Sequence, residues 1–250
     1  MNDFLLVAGA GFLGGAMNAI AGGASFLTLP ALIAAGVPSL SANASSTVAL
    51  LPSALTSAYA YRHDFRDFDG VSFKVMTAIS IVGGALGALL LLATPQRVFD
   101  ILVPFLLLFG TIVFAFGRQA GAALRARVTI TPHMMLVSQF VLGIYGGYFG
   151  GGVGVMMMAA WSLLTTAHLS AMQPARNLLN AAMNATAALL FIAGGLIFWR
   201  QTMILMVFAI FGGYGAARLS RKIDPVKARL AISGINAVMT ALVFWKTFVA

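Results

Sequence analysis

Twice in this chain, about 130 residues apart, a long apolar stretch is broken by glycines, at Gly22-Gly23-Ala24-Ser25 and at Gly150-Gly151-Gly152-Val153-Gly154. Each break opens a short apolar segment, which leads into a longer one carrying small polar side chains. The first copy reads GGASFLTLPALIAAGVPSLSANASSTVALLPSA and the second GGVGVMMMAAWSLLTTAHLSAMQPARNLLNAAMNA; Gly22 and Gly151 are 129 apart, Ala44 and Ala175 131. In hydrocarbon only helices satisfy their own backbone, so irregular chain survives only where protein or a water-filled cavity receives it. A doubled, glycine-interrupted pattern of this kind points to a binding site shared by two halves of a transporter.

The membrane setting follows from composition. Hydrophobic residues make up 60% of the 250, charged residues 8%, and mean hydropathy is +0.96. Soluble domains carry about 25% charged residues. Runs such as 71–93 and 226–249 are long enough to cross hydrocarbon about 30 Å thick. The expectation is one integral membrane domain over 1–250. Asp3 stands where a signal peptide would be basic, so the first apolar run is read as a spanning helix rather than a cleaved leader. The absence of cysteine excludes disulfides, thiolate metal sites and cysteine nucleophiles. The net charge of +9 is read as loop charge that sets orientation and meets lipid head groups, not as a nucleic-acid surface.

Ten apolar segments are predicted: 4–20, 25–36, 40–61, 71–93, 97–116, 133–149, 154–166, 172–198, 201–217 and 227–249. At 1.5 Å per residue the segments 25–36 and 154–166 reach roughly 20 Å, too little to cross alone, so they are half-helices of broken spans or re-entrant arms. Counting both as crossings places Arg62, Arg66, Lys74, Arg118, Arg125, Arg127, Arg218, Arg221, Lys222, Lys227 and Arg229 on one face. Only Arg97, Arg200 and Lys246 then fall on the other. That bias marks loops 62–74, 117–131 and 218–229 as cytoplasmic and both termini as outside. Five segments per half is odd, so the second repeat (133–250) is expected to be inverted relative to the first (1–116), with 117–132 a basic linker.

The helix that follows each break turns its free N–H groups and positive dipole end inward, where they suit an anion. Gly22, Gly23, Ala24 and Ser25 supply one such end, and Gly151, Gly152, Val153 and Gly154 the other. The plainer explanation is that glycines permit close helix packing, as is expected of Gly83, Gly84 and Gly87. A short segment after each break favours the anion site, and a leucine at Gly152 is expected to abolish transport without loss of expression. Asn177, Asn180 and Asn184 fall at i, i+3 and i+7 on one helix face, with Arg176 about 40° from Asn180. Asn43, Ser46, Thr47, Ser53 and Ser57 form a comparable face in the first half, with Pro52 a kink candidate. Such amides are either interhelical glue or substrate contacts. Arg176 either snorkels to the interface or presents its planar donor fork to an oxyanion.

Several chemistries lack their parts. The six acidic residues are all aspartates (Asp3, Asp64, Asp67, Asp69, Asp100, Asp224), each at a loop or segment end. Cation pumps and carboxylate relays need acids within the membrane. His63, His133 and His168 read as loop or interfacial residues, and no set of ligands shares a face. No metal, cofactor or catalytic residue is expected, and no enzyme. Trp199 and Trp245 read as interface belt residues, while Trp161, Tyr145 and Tyr148 flank the second break and either pack or line a cavity.

At GGASFLTLPALIAAGVP with SANASSTVALLPSA, and at FGGGVGV with AMQPARNLLNAAMNATA, the chain resembles the sulfite exporter TauE/SafE family of membrane permeases. The resemblance covers most of the chain. It implies a bacterial inner-membrane carrier with duplicated halves, moving sulfite, organosulfonates or related small anions. The second copy has Ala159 where the first has Pro30, and Asn43-Ala44-Ser45-Ser46-Thr47 stands where members often show a glycine-threonine-serine run. The expected architecture is an all-α integral membrane protein of two inverted five-segment repeats. Expected partners are a small anionic substrate and the lipid bilayer, without nucleic acid; a homodimer is left open. A passive anion channel and a membrane scaffold without substrate are the alternatives.

Overall fold

The computed structural model describes residues 2–20, 23–60, 71–125, 132–164, 169–219 and 225–249. Among these the chain forms ten α-helices: α1 Asn2–Ile20, α2 Ser25–Ala34, α3 Ser39–Ala60, α4 Phe73–Ala93, α5 Gln96–Arg125, α6 Pro132–Tyr148, α7 Val153–Leu164, α8 Leu169–Ala193, α9 Trp199–Leu219 and α10 Pro225–Phe248. They correspond in order to the ten predicted segments. Helix α5 runs past the predicted end at 116 into the stretch read as a linker, because hydropathy marks the membrane edge while helix-forming residues continue the winding. Helix α8 stops short of 198. Gly195 takes φ +69°, and its amide bonds the Ile192 carbonyl (3.1 Å) while the Leu196 amide bonds Phe191 (3.2 Å), a Schellman closure. Gly36 (φ +82°) ends α2 with the same pair of bonds.

Phe73–Ala93, Gln96–Gly117 and Leu230–Phe248 are each long and apolar enough to cross a membrane. Leu89 and Leu90 on α4, Phe105 and Phe109 on α5, and Val238 and Leu242 on α10 face outward, as lipid-facing side chains do. By contrast α2 and α7, of 10 and 12 residues, reach only about 15 and 18 Å.

Glycines set the closest packing. Gly83 lies against Gly143, and Gly84 against Gly147, joining α4 to α6; Gly15 lies against Ala209 and Gly212 against Phe12, joining α1 to α9. Other pairings include α4 with α8, α3 with α8 and α9, α5 with α7 and α10, α2 with α1, α3 and α10, and α7 with α6 and α8. Exchanging α1–α5 for α6–α10 maps these onto one another: α1–α9 becomes α6–α4, α4–α8 becomes α9–α3, α5–α7 becomes α10–α2, while α3–α8 and α5–α10 map onto themselves. The half-helices lie inside this frame, with Phe26, Leu29 and Leu32 of α2 and Met157 and Trp161 of α7 fully buried.

Candidate functional site

The two breaks have the same local geometry. Gly23 takes φ +86° and its carbonyl accepts the Phe26 amide at 3.1 Å; Gly152 takes φ +73° and its carbonyl accepts the Val155 amide at 3.0 Å. These left-handed values favour glycine, since a Cβ there costs roughly 1–2 kcal/mol. Among the described residues no acceptor pairs with the Ala24 and Ser25 amides, nor with those of Val153 and Gly154. No side chain caps α2, and Ala24 has none to offer. Among the described residues each half-helix therefore begins with unpaired donors, a condition that suits an external partner. Gly22 lies outside the described residues.

One ring joins the two ends. Phe26, in the first turn of α2, is fully buried, and a Cβ built on Gly23, Gly110 or Gly152 would stand 3.2, 2.5 or 3.0 Å from it. The N-terminal turns of α2 and α7 thus converge on a single phenyl group. The same contact revises the expectation for Gly152→Leu: with φ positive and the ring against it, a bulky residue would disturb the fold as well as the site.

Polar side chains fasten the breaks. Thr28 Oγ1 donates to the Ala24 carbonyl (3.1 Å), so the Ser46 hydroxyl donates to Thr28 across 2.6 Å and ties α2 to α3. Asn43 Nδ2 donates to the Tyr148 carbonyl at the end of α6 (2.9 Å), and Tyr145 Oη donates to the Gly151 carbonyl (3.0 Å). Asn184 Oδ1 and Thr47 Oγ1 lie beside Gly150. Trp161, one of the residues flanking the second break, is packed in a core cluster. His168 lies outside the described residues.

Arg176 stands at the start of α7. A Cβ on Gly154 would lie 3.5 Å from Arg176 Cδ and 3.8 Å from Nε. Its Nε and Nη2 donate to Asn177 Oδ1 (3.2 and 2.8 Å), and one turn further along α8 Asn184 Nδ2 donates to Asn180 Oδ1 (3.0 Å). A guanidinium thus lies against a positive helix end. Like-signed fields in one place are unfavourable unless an anion joins them. The structure therefore gathers Arg176 and Asn177 at one break, Ser46 at the other, and Asn43 between α3 and α6. Phe26, Thr28 and Gly110 were not anticipated; an aromatic in the first turn after a glycine break is their only trace in the sequence. Among the described residues no cluster of His, Cys, Asp or Glu could hold a metal ion.

An apolar helical bundle that encloses two short helices, each opened by a glycine break, has the architecture of an integral membrane protein. The chain belongs to the family described as sulfite exporter TauE/SafE, which matches residues 7–243. It is 30% identical over 232 residues to a probable membrane transporter protein of Haemophilus influenzae, covering 92% of this chain and 88% of that one. It is 28% identical to the probable membrane transporter protein YfcA of Escherichia coli K12, covering 92% and 85%, and 26% identical to the probable membrane transporter protein ORF9 of a Sinorhizobium species, covering 92% and 89%. No solved structure matches the chain. These relationships support a membrane transporter.

Proposed function

We propose that this protein exports a small anion, such as sulfite or an organosulfonate, by alternating access around a midplane site. The observation that carries the reading is the placement of Arg176 against Gly154 at the bare N-terminus of α7. The anionic head rests on the amides at Gly22, Gly23, Ala24 and Ser25 and at Gly151, Gly152, Val153 and Gly154. Ser25, Asn43, Ser46, Asn177 and Asn180 donate hydrogen bonds, and Arg176 selects for charge.

The two halves act as inverted repeats, a reading supported by the exchange symmetry of the helix pairings. The basic loops 62–74, 117–131 and 218–229 face the cytoplasm and the termini face outward, in the bacterial inner membrane. In that orientation α2 and α10 end, and α3 and α5 begin, on the outer side. The bonds from Lys246 Nζ to the Ile33 carbonyl (3.3 Å) and from Gln96 Nε2 to Ser39 and Asp100 (2.8 Å each) agree with this grouping.

The test is thermal stability of the purified protein with sulfite, sulfate, taurine, sulfoacetate, thiosulfate and small carboxylates. A ligand at a hundredfold excess over its dissociation constant adds about 2.7 kcal/mol. No shift with any anion would remove the anion site. Saturable counterflow in proteoliposomes separates a carrier from a passive channel.

A further inference from the structure

Helix α10 carries an amide that the packing does not use. Asn236 is fully buried, and among the described residues neither its Nδ2 nor its Oδ1 has a hydrogen-bond partner. Its backbone carbonyl accepts from Thr240 Oγ1 (2.7 Å), whose hydroxyl also meets Thr111 (3.1 Å). An unsatisfied polar group inside a membrane protein is costly, and burial there without a partner signals a partner still to come.

Its neighbours place it at the first glycine break. Helix α10 packs on α2 and α5. Ile232 and Met239, on either side of Asn236 along the helix, pack in one cluster with Leu27 and Phe114. Leu27 is in the first turn of α2, and the Phe114 ring is 3.6 Å from a Cβ built on Gly23. The position 129 residues earlier, Leu107, is a fully buried leucine. An apolar side chain thus serves the matching place in the other half, and an amide is not needed there for packing.

We propose that Asn236 is a ligand of the transported anion, and that this anion carries a hydrogen-bond donor of its own. Nδ2 donates to an anionic oxygen, while Oδ1 accepts from an O–H or N–H on the same molecule. The class is a small oxyanion or sulfonate bearing a hydroxyl, amino or acid proton. A cation is disfavoured, because the cluster flanking Asn236 includes Leu27 in the first turn of α2, at that helix's positive end, and no aspartate is fully buried among the described residues. This inference rests on the anion-transport reading above.

The discriminating pair is 2-hydroxyethanesulfonate and propane-1-sulfonate, equal in charge and nearly equal in size. A site with a buried acceptor rejects the analogue lacking a donor by a large factor. Binding is read from thermal shift and from competition for uptake in proteoliposomes. Wild type favours the hydroxylated sulfonate by about tenfold or more, and Asn236→Leu lowers that ratio to about one while leaving the ligand-free melting temperature unchanged or higher. Asn236→Ala, which adds no bulk, carries the same test should the leucine variant fail to assemble. A ratio retained in these variants, or absent from wild type, overturns the inference while anion binding itself stands. Absence of response to every anion overturns the transport reading and this inference together.

Discussion

Thr111 of α5 and Thr240 of α10 are 129 residues apart in sequence, and their hydroxyls are 3.1 Å apart in space. Gly23 and Gly152, the left-handed glycines that open α2 and α7, have the same offset, as do Gly83 with Gly212 and Gly84 with Gly213. A residue that hydrogen-bonds its own counterpart marks where an axis relating the halves would pass. Helices α5 and α10 are accordingly one of the two pairs that map onto themselves when the halves are exchanged.

The threonine pair is expected to contribute modestly. Thr111→Val and Thr240→Val in a double-mutant cycle should couple by about 0.6 kcal/mol, the usual size for hydrogen bonds between membrane helices. The measurement is reversible unfolding in mixed micelles. Zero coupling would show the contact to be incidental to stability.

Glycines divide by what stands opposite them. A Cβ on Gly147 would overlap the Gly84 carbonyl, whereas a Cβ on Gly234 of α10 meets nothing within 4 Å. Gly147→Ala should separate α4 from α6 and lower stability by roughly 2 kcal/mol or more. Gly234→Ala should raise it by up to about 1 kcal/mol through helix propensity. Melting temperatures of the two variants decide the matter, and equal effects would count against the packing described.

The element order was legible because apolar runs and their breaks are large signals. Even the 12- and 13-residue predicted segments 25–36 and 154–166 emerged as α2 and α7. The ends were less legible where backbone geometry rather than hydropathy decides, as at Gly195, whose positive φ closes α8. The site was legible in part. Glycine breaks and the arginine beside them can be read from spacing, but the convergence of both breaks on Phe26 is a long-range contact between residues 126 apart. Asn43 and Ser46 could not be sorted between glue and ligand from sequence, because both roles need the same side chains. In the fold Asn43 Nδ2 holds the end of α6, and Ser46 holds Thr28.

Asn43 therefore has a structural share that can be measured. Asn43→Leu leaves the Tyr148 carbonyl without its donor, at a cost of about 1–3 kcal/mol. The expected result is a lower melting temperature in the absence of any anion. An unchanged melting temperature, with anion response lost, would assign Asn43 to the substrate alone.

Arg176 gives two effects of opposite sign. Its side chain lies against Gly154 at the positive end of α7, so removing the charge relieves like-signed repulsion. Arg176→Gln removes that repulsion, worth about 0.3–1 kcal/mol, while glutamine keeps a donor for Asn177. The same change takes a cation from the proposed anion site. If affinity falls tenfold, an anion that stabilised wild type by about 2.7 kcal/mol at a hundredfold excess now stabilises by about 1.4 kcal/mol at the same concentration. Paired melting curves with and without anion read both effects. Loss of ligand-free stability with an unchanged anion response would make Arg176 a packing residue and leave the N-terminus of α7 to bind alone.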